Sequence, residues 1–218
     1  FNEGRGLGES FFEERMDVVI KDLEAKKLLK VGEDGAKLVF FAGDKYPPAM
    51  IIKKDGATLY ATRDLATDKY RLEKYNPDLI INEVGSEQNL YFKQLFEIEK
   101  LLCWFNDGQR VHVGHGLYLT SGKKMSTRGG ETVNLDEVLQ EAIKRAKKLG
   151  NDSQETAQQV GIGAIKYFDL SHHPLTNINF DWDSMFALEG NSGPYLQYTV
   201  ARCNSVVLKG QTLESLSA

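Results

Sequence analysis

The sequence predicts an α/β fold in which a parallel sheet carries helices on its faces, followed by a helical segment. The main observation is a strand–helix–strand pattern: apolar and β-branched residues at 79–84, apolar residues at helical spacing over 90–105, and a short strand at 110–113. A second observation is that the residues after about Gly130 have helical periodicity. We therefore expect those residues to lie apart from the sheet.

The remaining elements are predicted from caps and turns. Ser10 and Glu13 match a capping box, and the helix that follows should end near Gly32. Further strands are expected at residues 36–41, 49–52 and 57–60, and a helix should open at 61 and end before Pro77. In the C-terminal part, helices are expected at about 134–149, 152–168 and 195–208.

Composition limits the class of protein. The 218 residues suffice for one sizeable domain, or for one domain with an appendage. A net charge of −4 argues against a polybasic nucleic-acid binder, and no apolar run is long enough to span a membrane. Cys103 and Cys203 have no CxxC spacing, so we expect reduced, packed thiols in a cytoplasmic protein. The histidines lack cysteine partners, so we expect no structural zinc. Because the chain opens on Phe1, we expect it to be part of a longer protein.

A glycine-rich basic segment at residues 122–130 (GKKMSTRGG) is a candidate phosphate-binding loop. Lys123, Lys124 and Arg128 can surround a polyanion such as a triphosphate, and the Ser126 and Thr127 hydroxyls can bond its oxygens. Glycine allows the backbone to approach a ligand closely. The alternative is a solvated basic loop between a strand and a helix.

Three polar segments follow predicted strands: residues 60–64, 85–88 and 123–128. If the strands are parallel neighbours, all three face one crevice at the carboxyl edge of the sheet. Tyr60 and Asp64 would grip a cationic ligand there, and Gln88 would orient a planar polar group. The alternatives are helix N-terminal electrostatics for Asp64, core packing for Tyr60 and an exposed helix former at Gln88.

No set of residues with the order of a catalytic triad stands out, and no carboxylate pair has clear acid–base roles. If the protein is an enzyme, its chemistry should rest on positioning and charge stabilisation rather than on a protein nucleophile. That mode of catalysis suits attack on a bound phosphate.

Four motifs in order resemble those of class I aminoacyl-tRNA synthetases. Residues 124–128 (KMSTR) are similar to the KMSKS signature of that class. Residues 59–65 (LYATRDL), 85–92 (GSEQNLYF) and 193–198 (GPYLQY) resemble arginyl-tRNA synthetases in particular. The resemblance runs from about Gly8 to the C-terminus.

The resemblance implies half of a Rossmann-like parallel sheet of the nucleotidyl-transferase type, followed by an α-helical segment. It divides the chain into the second half of the catalytic domain (1–130), a helical connecting region (131–190) and the first helix of the anticodon-binding domain (191–218). It also implies a cytoplasmic, monomeric enzyme that uses ATP with Mg²⁺, L-arginine and tRNA(Arg), without a metal site in the protein and without a membrane.

The resemblance also implies roles for particular residues. The arginine side chain would be held by Tyr60, Asp64 and Gln88. The ATP phosphates would be stabilised by Lys124, with Lys123 and Arg128 adding charge and Ser126 shaping the loop. The remaining ATP contacts would come from Met125 and from the backbone near adenine at His115, Gly116 and Leu117.

Two departures from the family pattern bear on function. Thr127 stands where the signature has its second lysine, and Gly129 stands where a further lysine is common. The sequence also contains no HIGH-type motif, which we expect upstream of Phe1. We therefore expect that this chain alone does not activate arginine efficiently. The rival hypothesis is a non-catalytic nucleotide- or RNA-binding module, which the intact crevice motifs disfavour. A dinucleotide-dependent oxidoreductase is disfavoured because no GxGxxG follows a strand.

Overall fold

The computed structural model describes residues 7–120, 123–124, 134–150 and 153–216, with the backbone alone at 123–124 and 211–216. The chain forms two compact units, one ending at Gly114 and one beginning at His115. Each unit is described by itself below.

The first unit alternates short strands with helices, after a 3-10 segment at Glu9–Arg15. Its helices are α1 (Met16–Ala25), α2 (Tyr60–Tyr75) and α3 (Asn89–Leu101). Its strands are β1 (Leu29–Val31), β2 (Lys37–Val39), β3 (Ala49–Ile52), β4 (Ile80–Gly85) and β5 (Arg110–His115), the last of which ends at the boundary of the second unit.

An antiparallel sheet in the order β1–β2–β3 opens the unit. Leu29 lies opposite Val39, which in turn lies opposite Ala49 on the other side. The predicted strands at 36–41 and 49–52 are thus present. The predicted helix end at Gly32 is wrong, because α1 ends at Ala25 and the residues just before Gly32 form β1.

The predicted strand–helix–strand unit is confirmed in β4, α3 and β5. The Ile80 N–H donates to Gln109 O over 2.9 Å, immediately before β5 begins, so both strands start at the same end. The predicted strand at 57–60 is wrong: Thr58 makes a single bridge to Ile52, and α2 already starts at Tyr60. Helix α3 ends earlier than predicted, and Cys103 beyond it has a left-handed φ of 62°.

The core of the first unit lies between the sheets and the helices. Burying a leucine or isoleucine fully contributes about 1.5–3 kcal/mol. The core residues with 2% exposure or less are Val19, Leu23, Val39, Ile51, Leu65, Ala66, Leu95 and Ile98. Leu65 and Leu95 anchor α2 and α3 in this core.

The second unit contains β6 (Tyr118–Thr120), β7 (Lys123–Lys124), α4 (Leu135–Lys148), α5 (Gln154–Leu170), β8 (Ile178–Asn179), α6 (Trp182–Met185) and α7 (Gly193–Leu216). Its sheet has the order β7–β6–β8. Strand β8 runs parallel to β6, with Tyr118 opposite Ile178. The expectation that residues after Gly130 lie apart from the sheet is therefore wrong for β8. The side chain of Ile178 in this strand is buried.

The predicted helices at 134–149 and 152–168 are confirmed, and each begins at a side-chain cap. The predicted helix at 195–208 is present but longer, since α7 spans Gly193–Leu216. The Asn134 Oδ1 accepts the Asp136 N–H over 3.1 Å, and the Ser153 Oγ accepts the Thr156 N–H over 3.0 Å. Helices α4 and α5 approach closely through small residues: a Cβ built at Gly161 would lie 2.8 Å from the backbone of Ala142.

The α/β class predicted from sequence is confirmed, with parallel pairing in short sheets. Among the described residues, no helix is long and apolar enough to cross a membrane. The expectation of packed thiols is wrong, because Cys103 and Cys203 are both exposed and unpaired. Cys103 lies in a surface turn and Cys203 on the exposed helix α7.

Candidate functional site

The start of α2 places two of the predicted site residues. Tyr60 is the first residue of the helix, and Asp64 lies one turn further on. The first turn is tied to β3, because the buried Thr62 hydroxyl donates to Ile51 O over 2.8 Å. Leu59 before the helix is extended, and its carbonyl accepts the Thr62 N–H over 3.1 Å. The position of Asp64 is therefore set by the sheet and not by the helix alone.

Asp64 and the start of α3 are joined by a hydrogen bond. The Tyr91 hydroxyl donates to the Asp64 carboxylate, and both side chains are partly buried. The Tyr60 ring meets the Tyr91 ring edge-on, with 5.0 Å between the centroids, and Tyr60 keeps 62% of its surface exposed. Tyr91 thus contacts both predicted site residues of α2, the Asp64 carboxylate through its hydroxyl and the Tyr60 ring through its own ring.

Burial governs the electrostatics of this pair. It raises the pKa of the Asp64 carboxyl; the hydrogen bond from Tyr91 lowers that pKa, and the nearby Asp68 carboxylate raises it again. Burial also raises the pKa of the Tyr91 phenol far above its ordinary value, and the Asp64 charge adds to that rise. Tyr91 therefore remains a neutral donor, and the ionised Asp64 is stabilised by any cation that reaches it.

Gln88 lies at the end of the 3-10 turn Ser86–Gln88, which directly follows β4. It is exposed and precedes Tyr91 by one helical turn, so it stands at the same helix start as the donor to Asp64. The structure thus places Tyr60, Asp64 and Gln88 at the starts of two helices that the Asp64–Tyr91 bond joins.

Sequence reasoning assigned no role to two residues near this site. Tyr91 lies within the motif at residues 85–92, three positions after Gln88. Because residues three apart on a helix are neighbours on one face, this spacing could have indicated that Tyr91 belongs to the site. Asn82 is a polar residue in a strand that begins as an apolar run, and that contrast could have marked it as well.

The predicted adenine-contacting residues belong to the second unit. The Gly116 N–H donates to Pro174 O over 2.7 Å, and the Leu117 N–H donates to the Asn177 Oδ1 over 2.8 Å. The His115 ring donates from Nδ1 to Gly116 O over 2.8 Å. The backbone here is therefore held by residues 174–177. Its contact with adenine stays a prediction.

The predicted phosphate-binding loop is described only at Lys123 and Lys124, whose backbone forms β7 against β6. Its other predicted members, Met125, Ser126 and Arg128, lie outside the described residues, as do the departures at Thr127 and Gly129. The single crevice that would unite this loop with Asp64 stays a prediction. In the described part of the chain, no cluster of three histidine, cysteine or carboxylate side chains can hold a metal ion.

A parallel strand–helix–strand unit with polar residues at its helix starts is the arrangement expected of a class I tRNA synthetase catalytic domain. The family model described as "tRNA synthetases class I (R), catalytic domain" matches residues 2–182. The chain belongs to this family, the class I arginyl-tRNA synthetases.

Curated relatives and solved structures agree with this assignment. The arginine–tRNA ligase of Exiguobacterium sibiricum is 48% identical over 93% of this chain, and that of Lactococcus lactis subsp. lactis is 42% identical over 93%. The chain spans 37% of the length of each of these relatives.

Two solved structures share the fold. An arginyl-tRNA synthetase from Plasmodium falciparum superposes with a TM-score of 0.76 at 27% identity, over 93% of this chain and 36% of that one. The Thermus thermophilus arginyl-tRNA synthetase gives a TM-score of 0.71 at 22% identity, over 90% of this chain and 41% of that one, which shows the fold alone.

Proposed function

We propose that this chain carries the arginine-binding part of an enzyme that ligates L-arginine to tRNA(Arg) with ATP. The observation that carries the proposal is the partly buried Asp64 carboxylate, held by the neutral Tyr91 hydroxyl at the junction of two helix starts. The names of the curated relatives support it, since they are arginine–tRNA ligases.

The reaction has two steps. An oxygen of the arginine carboxylate attacks the α-phosphorus of ATP, which forms arginyl-adenylate and releases pyrophosphate. A ribose hydroxyl at the 3′ end of the tRNA then attacks the arginyl carbonyl and releases AMP. Neither step needs a nucleophile from the protein, so binding and charge stabilisation are its tasks.

Asp64 binds the guanidinium group in this proposal. Tyr91 occupies one carboxylate oxygen, and the guanidinium offers several N–H donors in a plane to the remaining acceptor capacity. In this proposal, the exposed ring of Tyr60 covers the guanidinium, and Gln88 supplies an amide from the neighbouring helix start. Because the Asp64 pKa is raised by burial, the site gains from a cation that stabilises the charge.

ATP is assigned to the second unit and to the loop at residues 122–130. Lys124, Lys123 and Arg128 would offset the phosphate charge, with Ser126 and Met125 in the same loop. The backbone at residues 115–117 would contact adenine. Mg²⁺ would arrive with ATP, bound mainly by the phosphates. The proposal includes a cytoplasmic monomer and the three-part division at 1–130, 131–190 and 191–218.

Replacing Asp64 with asparagine tests the arginine site. We expect the KM for arginine in tRNA aminoacylation by the complete synthetase to rise about 10- to 100-fold, because a charge-assisted bond becomes a neutral one. The KM for ATP should stay within about twofold of its original value. Asp78→Asn, the same change at an exposed carboxylate, is the matched control. An unchanged arginine KM in Asp64→Asn would remove the carboxylate from the binding site.

The pH dependence of arginine binding gives an independent test. Only ionised Asp64 attracts the guanidinium, which stays protonated throughout. Since burial raises the Asp64 pKa, the KM for arginine should begin to rise at a higher pH than the ordinary aspartate pKa of about 3.9 would give. Measured from pH 8 downward, the KM should increase in the original protein once Asp64 takes up its proton, and it should stay flat over the same range in Asp64→Asn. Parallel pH profiles for the two proteins would contradict this role.

A further inference from the structure

Tyr91 is fixed in place by its own helix and by neighbouring aromatic rings. It is the third residue of α3, which the buried Leu95 anchors in the core. Its ring meets the Tyr60 ring with 5.0 Å between the centroids and the Phe92 ring with 5.3 Å. A tyrosine side chain has only two torsions, so these contacts leave its hydroxyl little freedom. The donor to Asp64 is therefore held ready before any ligand arrives.

The bond from Tyr91 uses one oxygen of the Asp64 carboxylate. The hydroxyl donates to Oδ2, and in the described part of the chain it is the only donor to this carboxylate. An ionised carboxylate accepts through both of its oxygens. The bond thus restrains the plane of the carboxylate and leaves Oδ1 to accept from a ligand.

The donor to Asp64 carries no charge, unlike the donors to the next carboxylate of the same helix. Asp68 accepts from the guanidinium groups of Arg71 and Arg110, so cations offset its charge. Burial raises the pKa of the Tyr91 phenol above its ordinary value, so the phenol stays neutral. A lysine or arginine in its place would pair with Asp64 and compete with a cationic substrate. A phenol stabilises the carboxylate and leaves its charge to the ligand.

A planar cation needs a carboxylate whose plane is set. We infer that Tyr91 is a positioning residue for arginine, whose hydroxyl orients the Asp64 carboxylate so that Oδ1 meets the substrate guanidinium. This inference rests on the proposed arginine-binding function. A guanidinium presents its N–H donors in a rigid plane, so the orientation of the carboxylate decides how well they bond. Tyr91 acts through Asp64 and adds no charge of its own.

The charged groups around Asp64 come from three elements. Burial raises the pKa of its carboxyl, and the Tyr91 bond lowers that pKa. Asp68 of α2 and Glu9 of the 3-10 segment raise it, whereas Arg71 of α2 lowers it. Removing the Tyr91 hydroxyl deletes one of these contributions and leaves the others in place. Because the deleted bond favours the ionised form, its loss should raise the pKa of Asp64.

The test is Tyr91→Phe in the complete synthetase, which keeps the ring and removes the hydroxyl. As the pH is lowered from 8, the KM for arginine should begin to rise about one pH unit earlier than in the original protein, as expected for losing a hydrogen bond to a charged group. The KM for ATP should stay within about twofold of its original value. Tyr75→Phe, the same change at an exposed residue of α2, is the matched control and should keep the original pH profile.

A double variant shows whether Tyr91 acts through Asp64. When Asp64 is already asparagine, adding Tyr91→Phe should change the arginine KM by less than about twofold at every pH, because no carboxylate is left to orient. A larger change in that background would mean that Tyr91 acts on the substrate by another route, and it would overturn the inference. So would a Tyr91→Phe protein with a lower melting temperature and the original pH profile, since the hydroxyl would then serve the fold alone.

Failure of the underlying function is distinguishable. If Asp64→Asn leaves the arginine KM unchanged, the arginine site itself is wrong. If Asp64→Asn raises the KM and Tyr91→Phe keeps the original pH profile, only the role of Tyr91 is lost.

Discussion

Replacing Arg110 with methionine is expected to destabilise the protein by about 3–5 kcal/mol, the cost typical of breaking a buried ion pair from one side. Its guanidinium Nε donates to Glu99 Oε2 over 2.7 Å, and its Nη2 donates to Glu99 Oε1 over 3.2 Å and to the Asp68 carboxylate. Only 3% of the Arg110 side chain is exposed. The guanidinium thus joins β5 to both α2 and α3.

The expected loss comes from the two carboxyl groups that the variant leaves behind. Glu99 and Asp68 are 0% and 2% exposed. Burial raises the pKa of Glu99, and the Asp68 charge raises it further, whereas Arg110 acts in the opposite direction. Without Arg110, at least one of the two carboxyl groups must take up a proton or remain charged in the interior. Arg71 still pairs with Asp68, but because Arg71 is partly exposed, this pair offsets only part of the buried negative charge.

The measurement is urea unfolding of the original protein and the variant, followed by circular dichroism. Lys100→Met is the control, since Lys100 pairs at the surface with Asp107, whose side chain is 86% exposed, and its loss should cost no more than about 1 kcal/mol. The triple variant Arg110→Met, Asp68→Leu, Glu99→Leu should recover most of the stability, because no buried charge is left unpaired. A loss below about 1 kcal/mol in Arg110→Met would show that the carboxyl groups do not depend on this guanidinium.

The part of the fold that the sequence predicts well is the part with local periodicity. Helix α3 and its flanking strands follow from apolar spacing. Tyr60, Asp64 and Gln88 could be selected because each sits at a helix start after a strand or a turn. The structure differs from the prediction just before Tyr60, since a single bridge at Thr58 replaces the predicted strand and the helix begins directly at Tyr60.

Features that depend on contacts between residues far apart in the sequence leave no pattern in the local sequence. Arg110 is separated from Asp68 by 42 positions, and Glu99 reads in the sequence as an ordinary exposed helix residue. Strand β8 has two residues, too few for any pattern, and only its pairing with β6 defines it. Likewise, the sequence does not reveal that the Asn82 Oδ1 is buried without a donor from the described residues, because this depends on what surrounds the side chain.

The substitution Gly116→Ala, which adds one methyl group, is expected to lower the free energy of unfolding by about 3 kcal/mol. This value lies in the upper part of the range for overpacked positions. A Cβ at this residue would lie 2.1 Å from Thr176 O and 2.8 Å from Asn177 N. Both are backbone atoms, so no side chain can rotate away. Residues 174–177 must move, which breaks the 2.7 Å bond from the Gly116 N–H to Pro174 O.

The displacement should spread into the parallel pairing of β6 with β8, because the Ile178 N–H donates to Leu117 O over 2.9 Å just beyond the crowded point. Hydrogen exchange of the Ile178 and Phe180 amides should therefore accelerate in Gly116→Ala, together with a lower midpoint in urea. Gly210→Ala is the matched control: it adds the same methyl to α7 with nothing within 4 Å, and alanine favours the helix by up to about 1 kcal/mol. An unchanged urea midpoint together with unchanged exchange rates at the Ile178 and Phe180 amides would contradict this prediction. The close approach of residues 116 and 176 would then not be needed to hold β8 in the sheet.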